Sequence, residues 1–297
     1  MHLYAQDLVD GILAGGVLAV AAIGFSLVWG IMNIINLAYG AFIMLGAYVT
    51  YWMFVRLHVD PFLTIPVSFV ALFVLGYLLQ RFVLNWVARA PVLLTFLVTF
   101  GLSLLIVNLA LLAWTSDTRG VQTAYAGSNF SIGSLVVPWA KLDTLIAALI
   151  ITGLLWLWLQ RSRTGRAIRA TALDIGAAQL TGVRVAELYA VVFGVSAGLA
   201  GVAGTLLTLT FPISPSMGDP FLIRSFVVCV LGGLGSVEGA LVGGILYGII
   251  EAFATQLNVT IGTQQLSGSG LQDAIALVVL IVVLVVRPTG ILGRPEA

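Results

Sequence analysis

The sequence predicts an all-α integral membrane protein, a polytopic bundle of about eight transmembrane segments with broken or re-entrant Gly-rich helices. Three observations carry that reading. Sixty per cent of the 297 residues are hydrophobic and only 8% charged, with mean hydropathy +1.12; a soluble domain is about a quarter charged. Apolar runs close to the ~20 residues that cross a bilayer recur from end to end. And five of the thirteen Lys and Arg residues crowd into residues 161–184, RSRTGRAIRATALDIGAAQLTGVR.

The apolar segments fall near 8–30, 34–55, 62–84, 92–114, 142–160, 186–211, 221–256 and 271–287. Barrel strands would alternate with period two over about ten residues; these runs are long and unbroken, so they are helices. Trp52, Trp86, Trp114, Trp139, Trp156 and Trp158 sit near segment ends, where indole favours the headgroup layer. The leader MHLYAQDLVD lacks a basic n-region and carries Asp7 and Asp10, so it does not read as a cleavable signal. Cys229 is the sole cysteine, which excludes an internal disulfide or a cysteine metal cluster.

The arginines set the topology. One arginine at the bilayer centre costs roughly 3 kcal/mol, five on the order of 15, so 161–184 lies in water or in a partner. Basic loops stay cytoplasmic, which places 161–185 inside. Counting from there, 115–141 is outside, 81–91 (Arg81, Arg89) inside, 56–61 and the acidic N-terminus outside. Further on, 212–220 and 257–270 are outside and the tail with Arg287 and Arg294 inside. This puts nine basic residues inside and four outside. Segment 221–256 must then begin and end on one face, so a hairpin or re-entrant break is expected at GGLGSVEG (232–239). No linker divides the chain, and 1–297 is expected to be one permease-sized unit. The polar stretch 115–134 is long enough to be functional, as a docking surface or a tether.

Two regions are rich in glycine, 11–47 and 194–248. Small residues at such spacing let helices approach closely. WGIMNIINLAYG (29–40) sets Asn33 and Asn36 between two apolar spans, and GGLGS breaks the second region. Broken helices at membrane depth are tolerated where they are buried in protein or line a cavity, and transporters build substrate sites from them. An Asn there can cap a helix or bond a substrate. GAFIMLGAY (40–48) and GALVGGILY (239–247) echo one another, through a repeat or by chance. Of the intramembrane ions, Arg224 can snorkel, Glu238 lies at the Gly-rich break, and Glu251 is deep.

Within the arginine loop, Asp174 before IGAAQLTG suits a helix N-cap, and Gly182 suits the left-handed position past its end. The short helix between them carries Ala177, Ala178 and Leu180 as a weakly apolar face, a shape suited to a protein groove. Before it, RTGRAIRA forms a basic turn with Arg166 and Arg169 on one side.

GRAIRATALDIGAAQLTGV resembles the cytoplasmic loop of permease subunits of branched-chain amino-acid ABC importers, the LivH/LivM-type family and its LivH branch in particular. GFSLVWGIMNIINLAYGAFIMLGAY resembles that family's opening spans, VLGGLGSVEGALVGGILYGIIE its late Gly-rich segment, and RPTGILG its ending. The four blocks occur in the family's order over nearly the whole chain. The resemblance implies a multi-pass subunit of the bacterial plasma (inner) membrane. It would pair with a second permease subunit and two ATP-binding subunits, and an extracytoplasmic substrate-binding protein would feed it. Residues 166–182 would be the coupling helix, with Arg166, Arg169, Asp174, Ala177, Ala178, Leu180 and Gly182 meeting the ATPase. Asn33, Asn36, Tyr39, Gly40, Gly233, Gly235 and Ser236 are candidates for the substrate path. One departure stands out: many relatives read Asn-x-Ala-His-Gly where this chain has Asn36-Leu-Ala-Tyr39-Gly40. The resemblance implies a branched-chain or related amino acid as substrate, and the departure leaves amides, urea and other amino acids as alternatives. No GxxxxGK[ST] loop occurs, and Lys141 is the only lysine. Neither a catalytic or metal constellation nor a cofactor or nucleic-acid motif is present. The chain thus reads as a transport subunit rather than an enzyme, and a self-sufficient ion-coupled transporter or channel is the competing reading.

Overall fold

The computed structural model describes residues 2–87, 92–123, 128–132, 135–256, 259–261, 264–266, 268–287 and 289–293. Arg89 and Arg294 lie outside them, as do residues 124–127 and 133–134 of the long polar loop. The helices are α1 (His2–Met32), α2 (Tyr39–Leu57), α3 (Pro61–Leu79), α4 (Asn85–Val87), α5 (Val92–Trp114), α6 (Trp139–Arg161), α7 (Arg163–Leu173), α8 (Ile175–Leu180), α9 (Val185–Leu207), α10 (Gly218–Gly232), α11 (Val237–Thr255) and α12 (Gly268–Val286). A π-helical stretch, Gln80–Leu84, joins α3 to α4. Two antiparallel hairpins complete the described chain, β1 (Asn129–Ile132) with β2 (Leu135–Pro138) and β3 (Val259–Ile261) with β4 (Gln264–Leu266). Seven helices among the described residues are long and apolar enough to cross a membrane.

The seventh expected segment, 221–256, is two helices, α10 and α11. The chain leaves α10 at Gly233 (φ +110°) and turns through Gly235 (φ +79°), and Ser236 caps α11 by accepting from Gly239 N–H at 3.0 Å. The expected break is there. At 15 residues, α10 is only about 22 Å long, short of the ~30 Å hydrocarbon core. Residues 289–293 close this turn: Ile291 N–H donates to Leu231 C=O at 3.0 Å and Leu292 N–H to Gly232 C=O at 2.9 Å. They satisfy carbonyls that a helix end otherwise leaves bare.

Glycine sets the packing. Helices α1 and α11 run antiparallel so closely that a Cβ on Gly11 would meet Ile249 Cα at 2.6 Å, and one on Gly15 would meet Gly244 C=O at 2.6 Å. In the same way Gly194 and Gly198 of α9 lie against Phe73 and Phe69 of antiparallel α3. Helix α9 is buried along almost its whole length. Thus α1 is to α11 as α9 is to α3, with every direction reversed, and α2 and α10 touch at Gly40 and Gly218. These paired contacts have the pattern expected of the inverted repeats from which transporters are often built. The echo between 40–48 and 239–247 is not that repeat, because Gly40 begins α2, whose counterpart is α10, and Gly239 lies in α11.

Hydroxyls bind α2, α3 and α9 where nothing else is polar. Thr50 donates to Thr205 at 2.8 Å, Thr205 to Ser68 at 2.9 Å, and Thr64 to Thr50 at 3.1 Å, all four buried. Such bonds are worth about 0.6 kcal/mol each between membrane helices. At one end of the bundle, Lys141 of α6 pairs with Asp10 at 2.7 Å and Gln256 bonds Asp7 at 3.1 Å. The polar leader is helical because its acids have these partners. Gln6 adds two bonds to Val136 of the β1–β2 hairpin. This end is the hairpin face; the other, carrying α7 and α8, is the arginine face.

Candidate functional site

On the arginine face, Ser162 caps α7 through Gly165 N–H at 2.8 Å, and Gly165 presses so close to the Leu159 backbone that no side chain fits there. Asp174 caps α8 by accepting from Ala177 N–H at 3.0 Å. Gly182 (φ +88°) ends it, with Val183 N–H bonded to Ala178 C=O at 3.1 Å. These placements match the sequence reading. The arginines also make contacts within the chain. Arg169 donates to Leu159 C=O and Gln160 C=O, and Arg166 donates to Arg161 C=O at 3.3 Å. Both cap the last turn of α6, where cations complement the helix dipole. The apolar face also shifts. Ala178 is 2% exposed and packs inward, while its neighbour Ala177 is exposed. Leu180 is 92% exposed and Leu173 81%. A groove of about 800 Å³ lies between α8, the start of α9 and α4, lined by Trp86, Ile175, Gln179, Arg184 and Tyr189.

The first break is a different kind of place. Helix α1 ends at Met32, Asn33 turns left-handed (φ 51°), and the chain folds back into the bundle before α2 begins. Tyr39 O–H donates to Ala21 C=O at 2.6 Å, and Ala21 lies about 16 Å back along α1 from Met32. Asn33 is exposed and closes the end of α1 with its backbone. Asn36 is 2% exposed; its Oδ1 accepts from Ala38 N–H at 3.1 Å, while its Nδ2 has no partner. Thr99 of α5 secures the unwound backbone, accepting from Leu37 N–H at 3.3 Å and donating to Ile35 C=O at 3.2 Å.

Gly233, Gly235 and Ser236 are not gathered at this place. They form the α10–α11 turn, which packs on Gly30 near the end of α1, at the level where Trp156 of α6 donates to exposed Glu238 at 2.9 Å. Gly40 belongs to the α2–α10 contact.

Two groups escaped the sequence reading. Arg224 does not snorkel: it pairs with Glu251 at 2.9 Å, the side chains 10% and 15% exposed. The signal was two intramembrane ions of opposite sign 27 positions apart, and the hairpin between them supplies the contact. Asp219 was assigned to an outer loop, 212–220. Ile213 does bridge to Arg119 of the polar loop, but by Gly218 the chain has sunk to touch Gly40. Asp219 is exposed in the first turn of α10, about 20 Å along the helix from the α10–α11 turn.

A family profile described as "Branched-chain amino acid transport system / permease component" matches residues 8–286. The chain belongs to that family. It is 32% identical over 307 residues to the branched-chain amino-acid permease protein BraD of Pseudomonas aeruginosa, covering 99% of this chain and 97% of the relative. It is 31% identical to LivH of Escherichia coli, covering 99% and 96%, and 29% identical to a probable LivH of Methanocaldococcus jannaschii, covering 95% and 90%. No solved structure matches the chain significantly. Membership makes the chain a multi-pass membrane permease subunit of an ABC transport system and not an enzyme, and gives the exposed arginine-face loop a context.

Proposed function

We propose that this permease imports a branched-chain or related amino acid. It would work beside a second permease subunit, with two ATP-binding subunits on the arginine face, which is cytoplasmic, and a substrate-binding protein on the hairpin face. The observation that carries the coupling reading is the pair Leu173 and Leu180, held out by a doubly capped loop that Arg166 and Arg169 fix to the end of α6. A leucine left in water on a rigid mount is suited to a partner's groove. Movement of that groove would pass through α7 into α6, and through α8 into α9 at the centre of the bundle. In this reading Asp174 and Gly182 shape the loop, Ala177 and Leu180 meet the ATPase, and Ala178 anchors α8 from within. Asn36 and the start of α2 lie on the substrate path, with Tyr39 and Gly40 positioning them, and the whole chain acts as one permease unit.

Reconstitution into proteoliposomes tests the proposal. Uptake of leucine should require the ATPase subunits, the binding protein and ATP together. Uptake driven by an ion gradient with no ATPase present rejects it in favour of a secondary transporter.

A further inference from the structure

Helix α5 is attached to its own chain along one narrow face. Thr95, Thr99, Ile106 and Ala110, all buried, make that face. Thr99 holds the segment before α2, and Trp114 stacks on Tyr48 of α2 with ring centroids 4.1 Å apart. At about 100° per residue, the opposite face carries Leu94, Leu97, Gly101, Leu104, Asn108 and Leu111, and every one of them is exposed. Their spacing alternates between three and four positions, the pattern of a seam between two parallel helices.

The leucines of this face need only lipid around them. Gly101 and Asn108 need more. A Cβ built on Gly101 meets nothing within 4 Å, whereas the glycines of α1, α2 and α9 are each closed over by other parts of the chain. Glycine weakens a helix interior, and here no contact within the chain offsets that. Asn108 lies five residues past Ser103, the midpoint of α5. That sets it about 7.5 Å from the centre of a hydrocarbon layer about 15 Å deep on either side. Its Nδ2 donates to Leu104 C=O at 2.7 Å. Among the described residues the second amide N–H and Oδ1 meet no partner. Polar side chains inside a bilayer hydrogen-bond across to another helix.

We propose that a second copy of this chain packs on this seam, α5 against α5, with Asn108 hydrogen-bonded to the partner's Asn108. This rests on the reading that the permease works beside a second permease subunit, and it makes that subunit the same chain. Two copies inserted under one charge rule have α5 running in the same direction. A two-fold axis along the membrane normal then sets each seam residue beside its own counterpart. An amide both donates and accepts, so the two Asn side chains satisfy one another. A single Asn in such a seam also fixes its register, and Gly101 one heptad earlier lets the two backbones approach.

The full-length protein in liposomes tests this. Under mild oxidant Leu97→Cys, Leu104→Cys and Leu111→Cys should form inter-chain disulfides, because a bridge needs Cα atoms within about 7 Å. Leu109→Cys is exposed but off the seam, and should cross-link about tenfold less. The native Cys229 is buried. Self-association, read by energy transfer as the lipid is diluted, should weaken about tenfold in Gly101→Leu and in Asn108→Leu, and Asn108→Gln should restore most of it. Gly101→Leu should keep its thermal stability, since the new side chain begins in open space; loss of pairing without loss of fold separates an interface from a lipid-facing helix. Wild-type protein that stays monomeric, equal cross-linking at Leu109→Cys, seam cross-links to a different polypeptide in cell membranes, or unchanged association in both variants would each overturn the seam. None of these results bears on ATP-driven uptake with the binding protein, whose failure would instead reject the importer reading.

Discussion

Replacing Leu180 by Asp separates the fold of the arginine-face loop from its task. The side chain is 92% exposed, so its own chain gains almost nothing from it, and the substitution should leave insertion and thermal stability unchanged. In a partner's groove the same leucine would lose nearly all its exposure, and full burial is worth about 1.5–3 kcal/mol. Losing that contact weakens ATPase-subunit binding by roughly 10- to 150-fold, before any penalty for burying a carboxylate. Titrating labelled ATPase subunits onto the purified permease pair in nanodiscs reads this directly. Leu173→Asp, at 81% exposure, should behave alike. Ala178→Arg should not: Ala178 is buried, so that change should disrupt the loop and lower stability. Wild-type affinity and ATP-driven uptake in Leu180→Asp would refute the docking assignment.

Other outcomes are as definite. Glu251→Gln should destabilise the protein by about 3–5 kcal/mol in thermal unfolding, because it leaves Arg224 charged and buried; Arg224→Met with Glu251→Leu should recover most of it. Asp174→Ala should remove the α8 cap at about 1 kcal/mol, seen as faster amide exchange over 175–182 with the spans unchanged. Gly15→Leu should prevent accumulation of folded protein, since even a Cβ meets α11 backbone at 2.6 Å; a normal yield of monodisperse protein would contradict the α1–α11 contact. Cysteine at Ser116 should react with an impermeant maleimide added outside cells, and cysteine at Ala172 only after permeabilisation. Both positions are exposed, and the native Cys229 is buried and silent.

What the sequence disclosed was local. The cap at Asp174 and the left-handed Gly182 depend on neighbours within a few residues, and the structure places them as read. Which face of α8 stays in water depends on how α9 packs beneath it, and no spacing in 175–180 encodes that. The arginines were rightly assigned to the loop, but the carbonyls they cap belong to the end of α6, so their roles surfaced only in three dimensions. The Arg224–Glu251 pair and the meeting of α2 with α10 are long-range contacts. Composition announced the ions and the glycines, and only the inverted packing says which of them touch.

The clasp that residues 289–293 place on the α10–α11 turn has a consequence for biogenesis. Translation completes α10 and α11, which end at Thr255, 36 residues before Ile291, the first residue of the segment that satisfies Leu231 and Gly232. Through that interval the re-entrant half of the protein has an open end. A nascent chain stalled or truncated ahead of Gly290 should therefore be inserted yet remain a ready target for quality-control proteases.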